Sequence, residues 1–179
     1  MVVGTAPRIL DGEWDVVIVP DADAFLGASG IGAMERSFRL FYRAAESASG
    51  LLLVQTRLPE NYALRAGVRG DYAAFAEAEL PRLRSLAYPP FGHVASLTFG
   101  GSESAVLGAV ESRLRPALGP DVEMSSPVPL RRAGERSTWR VLLRSRGQSA
   151  VARAAAGAAR AAARTHGLTV RVELDLEEV

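Results

Sequence analysis

Two consecutive prolines, Pro89 and Pro90, held between Tyr88 and Phe91, divide this chain more firmly than any other feature of its sequence. Proline fixes φ at about −65°, has no backbone N–H and pushes the residue before it towards extended geometry. Neither a helix nor a central strand runs through such a step. The chain has 179 residues, enough to bury about 70% of its unfolded surface without a disulfide or a structural metal. The two sides are therefore read as separate units, 1–90 and 91–179.

On the first side, Val2-Val3 and Asp15-Val16-Val17-Ile18-Val19 are short apolar runs of the kind found in buried parallel strands. A helical pattern follows over Gly32–Ser49, with Met34, Phe38, Phe41 and Ala45 on one face, and then a third apolar run, Leu51–Val54. A further helix is expected over Asp71–Ala87, carrying Tyr72, Phe75, Leu83 and Leu86. Strand, strand, helix and strand make a fragment of an open α/β sheet, too small to be a whole one.

Beyond the prolines the order changes. Val94–Phe99 alternates as a strand, and Ser104–Leu118 reads as a helix with Leu107, Val110, Leu114 and Leu118 in one stripe. Val122–Val128 is a weaker strand, and Thr138–Ser145 alternates with Trp139, Val141 and Leu143 on one face. Gln148–His166 is an alanine-rich helix, and Thr169–Leu176 is a strand with Val170, Val172, Leu174 and Leu176 inward. This β-α-β-β-α-β order predicts a ferredoxin-like split unit. In its last helix Val151, Ala155, Ala158 and Ala162 share one face, with Arg153, Arg160 and Arg164 opposite.

Composition removes several classes of chemistry. There is no cysteine, hence no disulfide framework, thiolate zinc site or cysteine nucleophile. No apolar run approaches the length of a membrane span and no signal-peptide pattern opens the chain, so a cytoplasmic protein with no membrane partner is expected. All 21 basic side chains are arginine; a lysine-free chain has no Walker-type phosphate loop. Gly27-Ala28-Ser29-Gly30-Ile31-Gly32 lies between a strand and a helix, where a dinucleotide would sit, but seven residues, Pro20 to Leu26, separate it from the strand. A stand-alone nucleotide-dependent enzyme using the Gly27–Gly32 loop is one alternative reading, and a structural protein-interaction domain is another. His93 and His166 lie in different elements with no carboxylate at ligand spacing, and Asp21 and Asp23 form a possible carboxylate pair at a strand end. No cofactor, no metal and no catalytic residue is expected.

The arginines are more informative. Arg131, Arg132 and Arg136 surround Gly134 in the connection before the Trp139 strand, and Arg140 and Arg144 alternate with Trp139, Val141 and Leu143 along it. One hairpin and one strand face thus share a positive patch of the kind that holds phosphates irrespective of sequence. No aromatic residue stands at the outward positions Val94, Ser96, Thr98, Thr138, Arg140, Leu142 and Arg144, which argues against base stacking on the sheet. The five arginines are the candidate DNA-binding residues.

Several segments together resemble the C-terminal part of the primosomal protein N′ (PriA) replication-restart helicase family. Val3-Gly4-Thr5 is similar to the start of helicase motif V, and Asp21-Ala22-Asp23 and Glu35-Arg36 to the stretch between motifs V and VI. Val54-Gln55-Thr56 resembles the last strand of the helicase lobe. Asp71-Tyr72, Phe75, Glu79-Leu80, Arg84 and Tyr88-Pro89-Pro90-Phe91-Gly92 follow the junction pattern. Ser126-Pro127-Val128-Pro129, Trp139-Arg140-Val141-Leu142-Leu143 and Val172-Glu173-Leu174-Asp175 resemble later strands. The resemblance implies the end of a RecA-like helicase lobe 2 over 1–90, followed by a C-terminal domain over 91–179. It also implies branched or single-stranded DNA as ligand, and single-stranded DNA-binding protein and primosome proteins as partners. The family's motif VI reads Q-x-x-G-R-x-G-R; here the matching stretch is Arg43-Ala44-Ala45-Glu46-Ser47-Ala48-Ser49-Gly50, without either arginine. Motif V is altered too, with Ala6-Pro7-Arg8 after Gly4-Thr5. Losing an arginine finger costs about 10³–10⁵ in rate, so a fork-recognition protein without ATPase or helicase activity is expected.

Overall fold

The computed structural model describes residue 3 and residues 8–28, 30–133, 136–165 and 167–174, without the side chains of 8, 9, 132, 133 and 136. Val2, Gly4 to Pro7, Ser29, Gly134, His166, Asp175 and Leu176, all named above, lie outside the described residues. The fold is mixed α/β. It forms two compact units, Met1–Arg82 and Leu83–Val179, and the strands before and after Pro89-Pro90 belong to different sheets. The division falls near the end of a helix rather than at the prolines, so Tyr88–Phe91 belongs with the second unit.

In the first unit a 3-10 turn, Arg8–Asp11, leads into β1 (Trp14–Val19), α1 (Asp23–Leu26), α2 (Ala33–Ser47), β2 (Ala48–Val54), α3 (Tyr62–Arg69) and α4 (Tyr72–Ser85). Strands β1 and β2 are parallel, with Val17 opposite Leu52 and Val19 opposite Val54. Val19 and Val54 pack on Ala22, Leu26, Phe41 and Leu64, and Val17 is buried. The alternate residues Val16, Ile18, Leu51 and Leu53 are 47–61% exposed. The expectation of strands buried on both faces is thus corrected: an apolar run also fits a strand covered on one face only.

Helix α2 buries Phe38 and Phe41 as its spacing predicts, but Ala44 rather than Ala45 completes the face. Helix α3 is an addition to the expected elements. Asn61 caps it, its side-chain oxygen accepting from Ala63 N at 2.9 Å, and Gly70 ends it in the left-handed region, φ 67°. It lies close to α2: a Cβ on Gly67 would stand 2.8 Å from Phe38 O and 2.9 Å from Phe41 Cβ. In α4 only Phe75 is buried, stacking on Phe38 with centroids 4.8 Å apart, while Tyr72 stays 60% exposed. The expected stripe is therefore confined to one residue, and Leu86 lies beyond the helix end.

The second unit runs β3 (His93–Gly101), α5 (Glu103–Ala109), β4 (Glu123–Met124), β5 (Val128–Ala133), β6 (Arg136–Ser145), α6 (Gln148–Ala163) and β7 (Thr169–Leu174). All its strand pairs are antiparallel, in the order β4-β6-β3-β7, with β5 also on β6. Trp139, Val141 and Leu143 join Ala95, Leu97 and Phe99 in one core, closed by α5 and by Val151, Ala155, Ala158 and Ala162 of α6.

Three expectations change here. The helix expected over Ser104–Leu118 is α5, a π turn at Val110–Leu114 and a 3-10 turn at Arg115–Ala117. Val106, not Leu107, starts its buried stripe, one α-helical turn before Val110. The single strand expected over Val122–Val128 is two pieces, β4 and β5. Pro127 has no N–H to pair, and Ser125 bridges the gap: its N–H donates to Leu142 O and its Oγ accepts from Leu142 N, each at 2.9 Å. Leu174 is 54% exposed instead of inward, while Val170 and Val172 pack on the core.

Candidate nucleic-acid interface

Residues directly opposite one another across an antiparallel pair share a face. Arg131 pairs with Thr138, Thr138 with Gly100, and Gly100 with Thr169. In the next such row Val128 pairs with Arg140, Arg140 with Thr98, and Thr98 with Arg171. Trp139, Val141 and Leu143 point into the core, so these two rows lie on the sheet face turned away from α5 and α6. Arg131, Arg140 and Arg171 thus stand on one face with three threonines. Arg171 was missed in the sequence because its part in the patch depends on β7 pairing with β3, and not on its neighbours along the chain.

The five sequence-predicted arginines do not all meet. Position 132 pairs with Ser137, out of phase with position 131; the side chains of Arg132 and Arg136 lie outside the described part. Arg144 is on the same face as Arg140 but is engaged through all three of its nitrogens. Its Nε and Nη2 donate to Glu123 at 2.9 and 2.5 Å, and its Nη1 donates to Leu86 O at 3.1 Å. Arg144 therefore fastens β4 and the stretch before β3 to β6. Arg140 differs: its Nε is buried without a hydrogen-bond partner. Arg131 is exposed, and Arg171 pairs with Glu173 at 2.8 Å while remaining 78% exposed. A second correction concerns this face near Arg144. Val94 and Ser96, read as outward positions, are 0% and 1% exposed. The open, cationic part of the sheet is its hairpin end.

Other candidate residues take structural roles. Asp23 accepts from Thr56 Oγ1 at 2.5 Å, from Arg57 Nε at 2.7 Å and from Arg57 N at 3.0 Å. The Arg57 side chain, followed by Thr56, holds its carboxyl below the ordinary 3.8. It ties the loops after β1 and β2 together instead of pairing with Asp21. The Gly27–Gly32 loop follows α1, not a strand, and Arg36 Nη1 donates to Ile31 O within it at 3.1 Å. Ser47, expected from the resemblance at the first motif VI arginine position, is 5% exposed, with its hydroxyl shared by Arg43 O at 2.7 Å and Leu10 O at 2.8 Å. Gly50, at the second, has Asp15 O 2.6 Å from where a Cβ would be. His93 opens β3 opposite Ser145. Among the described residues no cluster of three His, Asp or Glu could hold a metal, and no helix is long and apolar enough to cross a membrane.

These features define a mixed α/β chain whose second unit is an antiparallel sheet backed by two helical segments, with a cationic end to its open face. Residues 84–177, more than half of the chain, match the family model described as the primosomal protein N C-terminal domain, and the chain belongs to that family. It is 27% identical over 140 residues to the replication restart protein PriA of Synechocystis, covering 72% of this chain. It is 34% identical over 83 residues to the protein of the same name from Treponema pallidum and 30% over 86 to that from Thermotoga maritima, covering 44% and 46% of this chain. The matched segments span 17%, 13% and 12% of those relatives.

Proposed function

We propose that this chain is the fork-recognition, DNA-binding portion of a replication-restart primosome protein and that it carries no ATPase or helicase activity. One observation carries the reading: Arg131 and Arg140 share the open sheet face, and neither is in an ion pair with a described residue. An arginine in that state offers its accessible guanidinium N–H groups to phosphate oxygens. The strand order of the second unit supports a ferredoxin-like reading, and the parallel β1–β2 pair with its intervening helix supports the end of a RecA-like lobe. Buried Ser47 and confined Gly50 support a lobe kept as scaffold: neither position has room for an arginine aimed at a γ-phosphate. The partners are branched or single-stranded DNA, single-stranded DNA-binding protein and primosome proteins, in the cytoplasm.

The test is titration of labelled forked DNA with the chain and with R131A/R140A. The double variant should bind all sequences more weakly and flatten the log–log salt slope by about 1–2 units, about one for each phosphate that is no longer neutralised. It should keep its circular dichroism spectrum. Equal binding by the two proteins would remove these residues from the interface.

A further inference from the structure

Helix α6 has sixteen residues and buries Val151, Ala155, Ala158 and Ala162. Arg153, Arg160 and Arg164 stand exposed on its other side. At 100° per residue they fall within about 40° of one another, and at 1.5 Å per residue they span about 16 Å along the axis. Elsewhere the chain pairs some of its exposed helical arginines with an acid one turn away, as in Arg39–Glu35 and Arg115–Glu111. On α6 it does not: the stretch from Gly147 to Thr165 contains no acid, and none of the three arginines pairs with a described residue.

The row continues past the helix start. Arg146, exposed and likewise unpaired, lines with Arg153 a cleft of about 520 Å³. Two acids, Asp121 and Glu123, also line it, but Glu123 is already bound to Arg144 at 2.5 Å. Gly157 lies between Arg153 and Arg160, and a Cβ there would meet nothing within 4 Å, so packing does not require glycine. The row offers no apolar side chain larger than alanine to anchor a peptide.

We propose that this face of α6, from Arg146 to Arg164, is a second track for the sugar–phosphate backbone of a nucleic acid. It lies on the helical side of the sheet, opposite the face that bears Arg131 and Arg140, so the two surfaces are separable by mutation. Its three helical arginines neutralise about three phosphates of one strand, one each. The proposal rests on the reading that this chain binds DNA, and adds where a strand continues.

The experiment uses R153A/R160A/R164A, with the lysine version R153K/R160K/R164K as partner, and a labelled oligothymidine and forked duplex as probes. Alanine is the better helix former, so the fold is retained. The alanine triple should flatten the salt slope by about 2 units, at 0.7–0.9 per neutralised phosphate, and the lysine triple should leave it near the wild-type value. Bound DNA should also protect Arg153, Arg160 and Arg164 from phenylglyoxal, read by peptide mass spectrometry. If R131A/R140A weakens binding while the alanine triple and the protection pattern do not change, the α6 track is wrong and the sheet-end reading stands. The reverse pattern keeps the track and removes the sheet end. No DNA binding by the unaltered chain sinks both. Competition by polyglutamate as effective as that by oligothymidine overturns the track in favour of an acidic protein segment.

Discussion

Asp23 gathers three donors from Thr56 and Arg57, across a gap of more than thirty residues in sequence. Because its native pKa is lowered, its contribution to stability is complete above the ordinary 3.8 and is lost as pH falls through the lower native value. Asp23→Asn should therefore lower Tm at neutral pH, hold that deficit down to about 3.8, and converge with the parent in more acid solution. Thermal melts across that range check it; a deficit that persists unchanged in strong acid would mean the charge is not the cause. At this scale the sequence exposes residue types but not their partners. Arg140 and Arg144 look alike along one strand, yet Glu123, twenty-one residues away, takes Arg144 and leaves Arg140.

Elements with their own local signals were legible, and those set by distant packing were not. The buried face of α6 could be read from alanine and valine at helical spacing, and the Trp139 strand from strict alternation. The π turn after α5 left no such mark, because the spacing of Val106, Val110 and Leu114, all buried in the same core, also fits an ordinary helix. The signals for α3, an Asn cap and a terminal Gly, were present, but a segment of eight residues carries little periodicity. Its fit against α2 gives a paired prediction. Gly67→Ala gains about 1 kcal/mol of helix propensity but forces a Cβ against Phe38 O, where overpacking costs about 1–3 kcal/mol. Gly157→Ala meets no neighbour. Urea denaturation should show the first variant destabilised and the second stabilised by about 0.5–1 kcal/mol; both moving up together would contradict the close approach of α2 and α3.

At the scale of the whole molecule, the double proline correctly announced two sheets, though the compact units divide earlier, between Arg82 and Leu83. The family match begins at residue 84, close to that division. What the prolines could not reveal is that Tyr88–Phe91 packs with the strands that follow. Gly92 shows why: a Cβ there would lie 2.2 Å from Ala87 O and 3.1 Å from Ser145 O, so this stretch folds tightly onto the end of β6. Phosphate binding by the second unit, as proposed above, would release condensed counterions from DNA. The most direct measurement is the affinity of the unaltered chain for forked DNA as a function of salt. With three to five phosphates neutralised the log–log slope should be about −2 to −4; a slope near zero, or no binding even in low salt, would contradict phosphate binding by this unit.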